Sequence, residues 1–302
     1  MNKKLLIALK LAFGLGILAF LLVKFDVKQV ASTLSDLPLA YAFLTLAIYV
    51  VINLSGAIKV SVLLKPLGHK LKLWHLFKDY SLGFSYGQFV PGKIGEFSLV
   101  YFLKKRGVPL GASGPIVLID KLAGFVILAA FALIGVWLYL NQYFLFFMIL
   151  LLLGTLIVYL FLFTEKGRNF IKKFIWKKLT DSFGGFSATM AVLSKEKERL
   201  LIALLLSLMK WLLSGWILYL IFTFFQVPIS YLQVMFVTTT ASMISFIPIT
   251  FNGIGLKEGS AIALFQLLNI PEKVVLGAFL YVLILAYALA LIHIGWSFAE
   301  RR

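Results

Sequence analysis

Two apolar stretches of the chain each carry a proline, glycines, a lysine and a glutamate in a short segment. The first is residues 91–96, Pro-Gly-Lys-Ile-Gly-Glu, and the second covers residues 248–258 and ends in Lys257 and Glu258. Lysine ammonium groups bind phosphates, and carboxylates can position such lysines, bind a cationic headgroup or act as general bases. The two segments are therefore candidate sites for binding or catalysis.

The candidate site residues are those with ionisable or amide side chains, together with glycines that permit irregular backbone at the same places. A second ionic feature is the adjacent Asp120-Lys121, in the apolar run that follows the first segment. The full set is Glu96, Glu258, Lys93, Lys257, Asp120, Lys121, Gly92, Gly95, Gly253, Gly255 and Asn252.

The composition is that of an integral membrane protein. Of 302 residues, 62% are hydrophobic and 14% are charged, whereas soluble proteins have roughly 45–50% and about 25%. The net charge of +17 comes from basic residues placed between apolar runs, which indicates a basic cytoplasmic face and argues against nucleic-acid binding. The chain has no cysteine and no nucleotide-binding motif, so we expect no cofactor.

Hydropathy predicts an all-α fold with six transmembrane helices and two re-entrant helical hairpins. A crossing needs about 20 apolar residues. The predicted spans are residues 5–23, 39–64, 112–140, 143–163, 200–225 and 274–296. The stretches around residues 91–96 and 248–258 are too short to cross twice and contain helix breakers, so each is predicted to return to its own side.

Basic residues predict the orientation. With both termini in the cytoplasm, the lysines and arginines concentrate in cytoplasmic segments, as the positive-inside rule requires. The predicted location is the plasma membrane. The basic loop 164–199 contains a segment with apolar residues at helical spacing, which acts either as a topology anchor or as an interfacial helix that attracts anionic lipids.

The two halves of the chain repeat one plan of span, hairpin and span. Glu96 and Glu258 lie 162 positions apart, and the flanking spans repeat at about the same offset. Because the units begin on opposite sides, they form an inverted repeat, a plan common in secondary transporters. We divide the single membrane domain into an anchor helix (1–38), repeat one (39–140), a helix and basic loop (143–163, 164–199) and repeat two (200–297).

Two interpretations of the hairpin glutamates remain open. Each carboxylate could satisfy free N–H groups at the start of its half-helix, or the two tips could form a phosphate site with Lys93 and Lys257. Asp120 could pair with one of these lysines or reach water at the cytoplasmic end. For Lys59 and Lys210, near span ends, we expect the ammonium groups to reach water.

The tip motifs resemble the transmembrane family of lysylphosphatidylglycerol synthetases, a flippase-like module found alone or fused to lipid-modifying enzymes. The resemblance rests on residues 90–96, on Pro248 and on residues 253–258; Phe251-Asn252 stands where relatives tend to have Pro-Gly. It implies movement of an aminoacylated phospholipid or a polyprenyl-phosphate-linked lipid between leaflets. It does not imply synthetase activity, since the fused soluble domain would need hundreds more residues.

The expected function is thus that of a lipid flippase, and no enzymatic activity is expected. Its partners are expected to be membrane lipids with an anionic or zwitterionic headgroup, a separately encoded synthetase or glycosyltransferase, and a second copy of the chain. Two alternatives stay open: an intramembrane enzyme with Glu96 or Glu258 as general base, and an accessory subunit that docks a synthetase.

Overall fold

The computed structural model describes residues 3–24, 28, 35–90, 95–146, 148–149, 152–154, 185–247 and 249–299. Within these residues the chain is helical and has no strand. The helices are α1 (Lys3–Lys24), α2 (Leu39–Leu64), α3 (Leu73–Phe89), α4 (Ser98–Lys105), α5 (Leu110–Tyr139), α6 (Phe186–Lys195), α7 (Lys197–Phe224), α8 (Tyr231–Ile244), α9 (Leu256–Gln266) and α10 (Glu272–Ala299).

Four helices, α2, α5, α7 and α10, are long and apolar enough to cross a membrane. They confirm four of the six predicted spans, and they make the chain a membrane protein. Helix α1 occupies the position of the first predicted span. Most of the predicted span 143–163 and of the basic loop 164–199 lies outside the described residues.

Prolines mark where three of the long helices begin. Pro38 is the N-cap of α2, Pro109 is the N-cap of α5, and Pro271 directly precedes α10. A proline at a helix start loses no intrahelical hydrogen bond, because the first N–H groups of a helix have no partner there. The start of each of these three helices is therefore favoured locally by its proline.

Both predicted helix breaks are confirmed. Helices α3 and α4 are separated by residues 90–97, and α8 and α9 by residues 245–255. The arms of each hairpin pack against each other. In the first hairpin a side chain at Gly95 would collide with the Tyr86 carbonyl, so only glycine allows the arms to come this close.

The two units, α2–α5 and α7–α10, repeat one architecture. Each has a long helix, two short hairpin arms and a second long helix, and each pair of helices in contact in one unit is also in contact in the other. The leading helices α2 and α7 run antiparallel, since the Tyr41 ring meets the Phe224 ring edge to face while Lys59 reaches Ser207 at the other end. Equivalent helices thus point in opposite directions.

One arm of each hairpin also packs against a long helix of the other unit. Arm α8 packs on α5 of the first unit, where the Thr240 hydroxyl donates a hydrogen bond to the Ala132 carbonyl at 3.2 Å. Arm α3 packs in the same way on α10, where Tyr287 donates to the Gln88 carbonyl at 3.0 Å. Neither unit can therefore complete its packing without the other.

Buried apolar side chains form two clusters that meet along α2. One cluster contains Ile48 and Ile52 with residues of α7, α8, α9 and α10, and the other contains Ala57 and Leu63 with residues of α3, α4 and α5. The turn of α2 between the clusters carries Asn53 and Ser55, both buried. Two buried polar side chains thus lie between the two apolar clusters along α2.

The packing of α8 on α5 predicts that alanine destabilises the protein at one glycine of α5 and not at another. A methyl group at Gly135 would collide with the Thr240 hydroxyl and the Phe236 carbonyl, whereas Gly124 has open space around it. We expect Gly135→Ala to destabilise the purified protein by about 1–3 kcal/mol through overpacking. Thermal unfolding in detergent measures the loss, with Gly124→Ala as the matched control. Equal melting temperatures of the two variants would contradict this packing of α8 on α5.

Candidate functional site

A buried ion pair inside the first unit is also hydrogen-bonded to the second unit. The Lys59 ammonium on α2 lies 2.8 Å from the Asp120 carboxylate on α5, and the two side chains are 2% and 1% exposed. Lys59 also donates a hydrogen bond to the Ser207 hydroxyl on α7 at 2.8 Å. Three long helices therefore converge on one charged group, which needs these partners because an unpaired buried charge is very costly.

Asp120 is held from several directions. Besides Lys59, the Tyr80 hydroxyl on α3 donates to the carboxylate at 3.3 Å, and the Lys121 ammonium lies 2.9 Å from its second oxygen. The carboxylate thus has a hydrogen-bonding partner on each oxygen, as a buried carboxylate requires.

The expectation that the Lys59 ammonium reaches water was wrong, because the Lys59 side chain is 2% exposed. Asp120 is buried as well and pairs with Lys59 and Lys121, while Lys93, one of its expected partners, lies outside the described residues. The physical reason is that α7 crosses α2 at Lys59 and places Ser207 there. A buried hydroxyl and a carboxylate replace the water that an isolated span would have supplied.

Lys121 connects the buried pair to the first hairpin. Its ammonium lies 2.5 Å from the Glu96 carboxylate and 5.3 Å from the centre of the Tyr80 ring. Glu96 and Lys121 are 16% and 23% exposed, so this pair is more accessible than the pair behind it. Lys59, Asp120, Lys121 and Glu96 form a row of alternating charge, called the charge row below.

A small cavity lies beside the accessible end of the charge row. It has about 20 Å³ of space for the centre of a water molecule, which is room for about one water. Its polar lining consists of Asn53, Tyr80, Glu96, Lys121 and Lys210. Lys210 is half-buried on α7 and lines this cavity.

The second hairpin touches the first through Asn252. The Asn252 amide donates hydrogen bonds to the carbonyls of Gly87 and Gln88, at 2.9 and 2.8 Å. The last carbonyls of a helix lack intrahelical partners, so Asn252 and Tyr287 satisfy the free end of α3. The tip of one unit thereby closes the broken helix of the other.

Glu258 has a different role from Glu96 in this structure. Its buried carboxylate accepts a hydrogen bond from the Gly255 N–H at 2.7 Å, at the start of α9. Gly253 and Gly255 both adopt a φ of +77°, which forms the turn before that helix. Lys257 lies 5.5 Å from the centre of the Phe279 ring. Gly92 and Lys93, the other candidates of the first tip, lie outside the described residues.

The repeat explains why the two glutamates differ. Helices α5 and α10 begin at residues 110 and 272, the same offset that relates Glu96 to Glu258. At this offset the positions of Asp120 and Lys121 are taken by Val282 and Leu283. Glu258 therefore has no lysine at the equivalent position, and it caps its own half-helix instead.

Sequence reasoning missed three residues of the site. Asn53, Tyr80 and Ser207 contact or line the charged region, but they were not among the candidates. A signal was present for Asn53, because a polar amide in the middle of an apolar span is costly and therefore marks a functional or packing role. Tyr80 and Ser207 are ordinary residues of membrane helices and carry no such signal.

The buried pair generates a prediction on stability. Lys59→Met leaves Asp120 with fewer partners, so we expect a loss of about 3–5 kcal/mol. The double variant Lys59→Met/Asp120→Leu removes both charges and should recover most of this loss. Thermal unfolding of the two single variants and the double variant gives the coupling energy. Additive losses would mean that the pair does not contribute as a unit.

None of the curated proteins compared with the chain matches it. The family described as Lysylphosphatidylglycerol synthase TM region matches residues 7–293, which include both hairpins and the whole charge row. The match covers nearly the whole chain, and the chain therefore belongs to the transmembrane-region family of lysylphosphatidylglycerol synthases.

Proposed function

We propose that the protein is a flippase that moves an amphiphilic lipid between the leaflets of the plasma membrane. The lipid class is an aminoacylated phospholipid or a polyprenyl-phosphate-linked lipid with an anionic or zwitterionic headgroup. Membership of a membrane family linked to lipid synthesis supports a lipid-related role. The charge row, which ends at the first hairpin and lies beside a cavity, is the observation that carries the proposal.

The charge row is expensive for a protein that only needs to be stable. Each ionised side chain costs about 2.5–3.5 kcal/mol at the centre of a bilayer on insertion scales. Replacement of buried ion pairs by apolar residues is often neutral or stabilising. The second unit carries Val282 and Leu283 at the equivalent positions and still packs. The charges of the first unit are therefore better explained by a headgroup that passes them.

The architecture supports movement as well as binding. The antiparallel leading helices and the packing of each hairpin on the other unit suit an inverted repeat with six spans and two re-entrant hairpins, with both termini in the cytoplasm. In transporters of this plan one repeat rocks against the other around a site at mid-depth. Here the Glu96–Lys121 pair links the first hairpin to α5, so its breakage would remove one of the contacts that hold the hairpin in place.

The same geometry favours transport over catalysis. Both candidate general bases are engaged, Glu96 with Lys121 and the buried Glu258 with the Gly255 N–H. Neither presents a free carboxylate to a substrate hydroxyl in this conformation. The proposed mechanism accordingly uses no cofactor and breaks no covalent bond. A separately encoded synthetase or glycosyltransferase would supply the lipid, and a second copy of the chain is a further proposed partner.

The first prediction of the proposal concerns the hairpin glutamates. Glu96→Gln breaks the charged link to Lys121, and we expect leaflet exchange to fall by at least about tenfold, the effect of losing one charge-assisted hydrogen bond. Glu258→Gln keeps an oxygen for the Gly255 N–H but removes the charge, so exchange should fall while the melting temperature holds. Leaflet exchange is measured with the protein reconstituted in vesicles that contain fluorescent or aminoacylated lipids. Exchange appears as a loss of the lipid signal that the inner leaflet protects.

The matched control is Glu196→Gln, which breaks an ion pair with Arg199 away from the hairpins. This variant should exchange lipid at the rate of the unaltered protein. Full exchange by both Glu96→Gln and Glu258→Gln would refute the proposed site. Product formation from labelled lipid by the purified protein would instead support the enzyme alternative.

A second prediction tests the hairpins as re-entrant segments. Because the chain has no cysteine, single cysteines at Lys72, Lys105, Ser230 and Gln266 report one position each. We expect the first two to react with an impermeant thiol reagent from the cytoplasmic side and the last two from the other side. Opposite sidedness at the two ends of either hairpin would show a crossing and contradict the six-span topology.

A further inference from the structure

Asn53 is a buried amide without a partner, and it faces the cavity beside the charge row. The side chain is on the middle turn of α2, the residue is 1% exposed, and neither its amide nitrogen nor its carbonyl oxygen makes a hydrogen bond within the described structure. Buried side-chain amides are nearly always hydrogen-bonded. Such an amide in a cavity wall is suited to a polar group that enters the cavity.

Lys210 lies in the wall of the same cavity, on α7. Its ammonium makes no hydrogen bond or ion pair within the described part of the chain, although it is close enough to Glu96 and Asp120 for electrostatic interaction. The other two lysines of the site are each paired with a carboxylate. The wall therefore has one positive charge in excess, which favours an anion.

We propose that Asn53 and Lys210 form a subsite for the phosphodiester of a lipid headgroup. The Lys210 ammonium and the Asn53 NH₂ would donate hydrogen bonds to phosphate oxygens. The Asn53 carbonyl would accept one from a hydroxyl or amine of the same headgroup. The inference rests on the proposed function and adds two residues that would recognise the phosphate, one on the leading helix of each unit.

The size of the cavity defines how the subsite would be used. With room for about one water, it admits a phosphate only after the wall formed by the first hairpin moves away. That movement separates Glu96 from Lys121 and leaves the Lys121 ammonium beside the opened cavity. The phosphate would then be bound by Lys121 as well as by Lys210. For Lys121, the phosphate would take the place of the Glu96 carboxylate.

Binding to the purified full-length protein in detergent tests the subsite. The probes are dioctanoylphosphatidylglycerol, dioctanoylglycerol, which lacks the phosphate, and inorganic phosphate, each measured by titration calorimetry. We expect the phospholipid to bind and dioctanoylglycerol to bind at least about tenfold more weakly. Lys210→Gln and Asn53→Leu should each weaken phospholipid binding by about tenfold, the effect of one hydrogen bond to a charged group.

Two controls separate recognition from folding. Lys105→Gln removes an exposed lysine near a helix end and should leave binding unchanged. Asn53→Leu should keep or raise the melting temperature, because it removes an unsatisfied amide of similar size. A lowered melting temperature in Asn53→Leu, or unchanged phospholipid binding in both site variants, would overturn the subsite.

The source of the phosphate and the proposed function are tested separately. If inorganic phosphate binds as tightly as the phospholipid, the site takes a free anion and the lipid subsite is wrong. If the variants lose binding but the unaltered protein shows no leaflet exchange, the subsite stands and the flippase proposal fails. If the unaltered protein shows leaflet exchange and both variants bind and exchange lipid normally, the flippase proposal stands and the subsite is wrong.

Discussion

The ion pair between Lys59 and Asp120 sets the geometry on which the rest of the site depends. Charges this deeply buried persist only where other groups replace water, so α2, α5 and α7 must meet at one level of the bundle. Once Asp120 is held there, its neighbour Lys121 lies at the edge of the core, next to the first hairpin. The position of Glu96 and the wall of the cavity follow from that placement.

The two units use one framework for different purposes. In the first unit Asp120 of α5 pairs with Lys59 of α2, and its neighbour Lys121 pairs with the hairpin glutamate, Glu96. In the second unit the equivalent positions are apolar, and the hairpin contributes its amide, Asn252, to close the end of α3. A duplicated fold thus combines a polar half with a half that supports it.

Local features of the sequence were sufficient for the helices and not for their partners. Long apolar runs and the breaks with proline and glycine act on neighbouring residues, so they predicted four of the spans and both interruptions. The surroundings of Lys59 depend on Ser207, which is far away in the chain. Hydropathy therefore placed Lys59 at the water interface, whereas packing buried it. Glu96 and Lys121 were identified, but their contact was not.

The packing of each hairpin on the other unit has a consequence for biosynthesis. A chain that emerges from the ribosome places α3 in the membrane long before α10, the helix against which that arm packs. Until the second unit is made, the carbonyls of Gly87 and Gln88 lack both Asn252 and Tyr287. Truncation after the first unit would therefore leave these backbone acceptors without their partners, which costs free energy wherever water does not reach them.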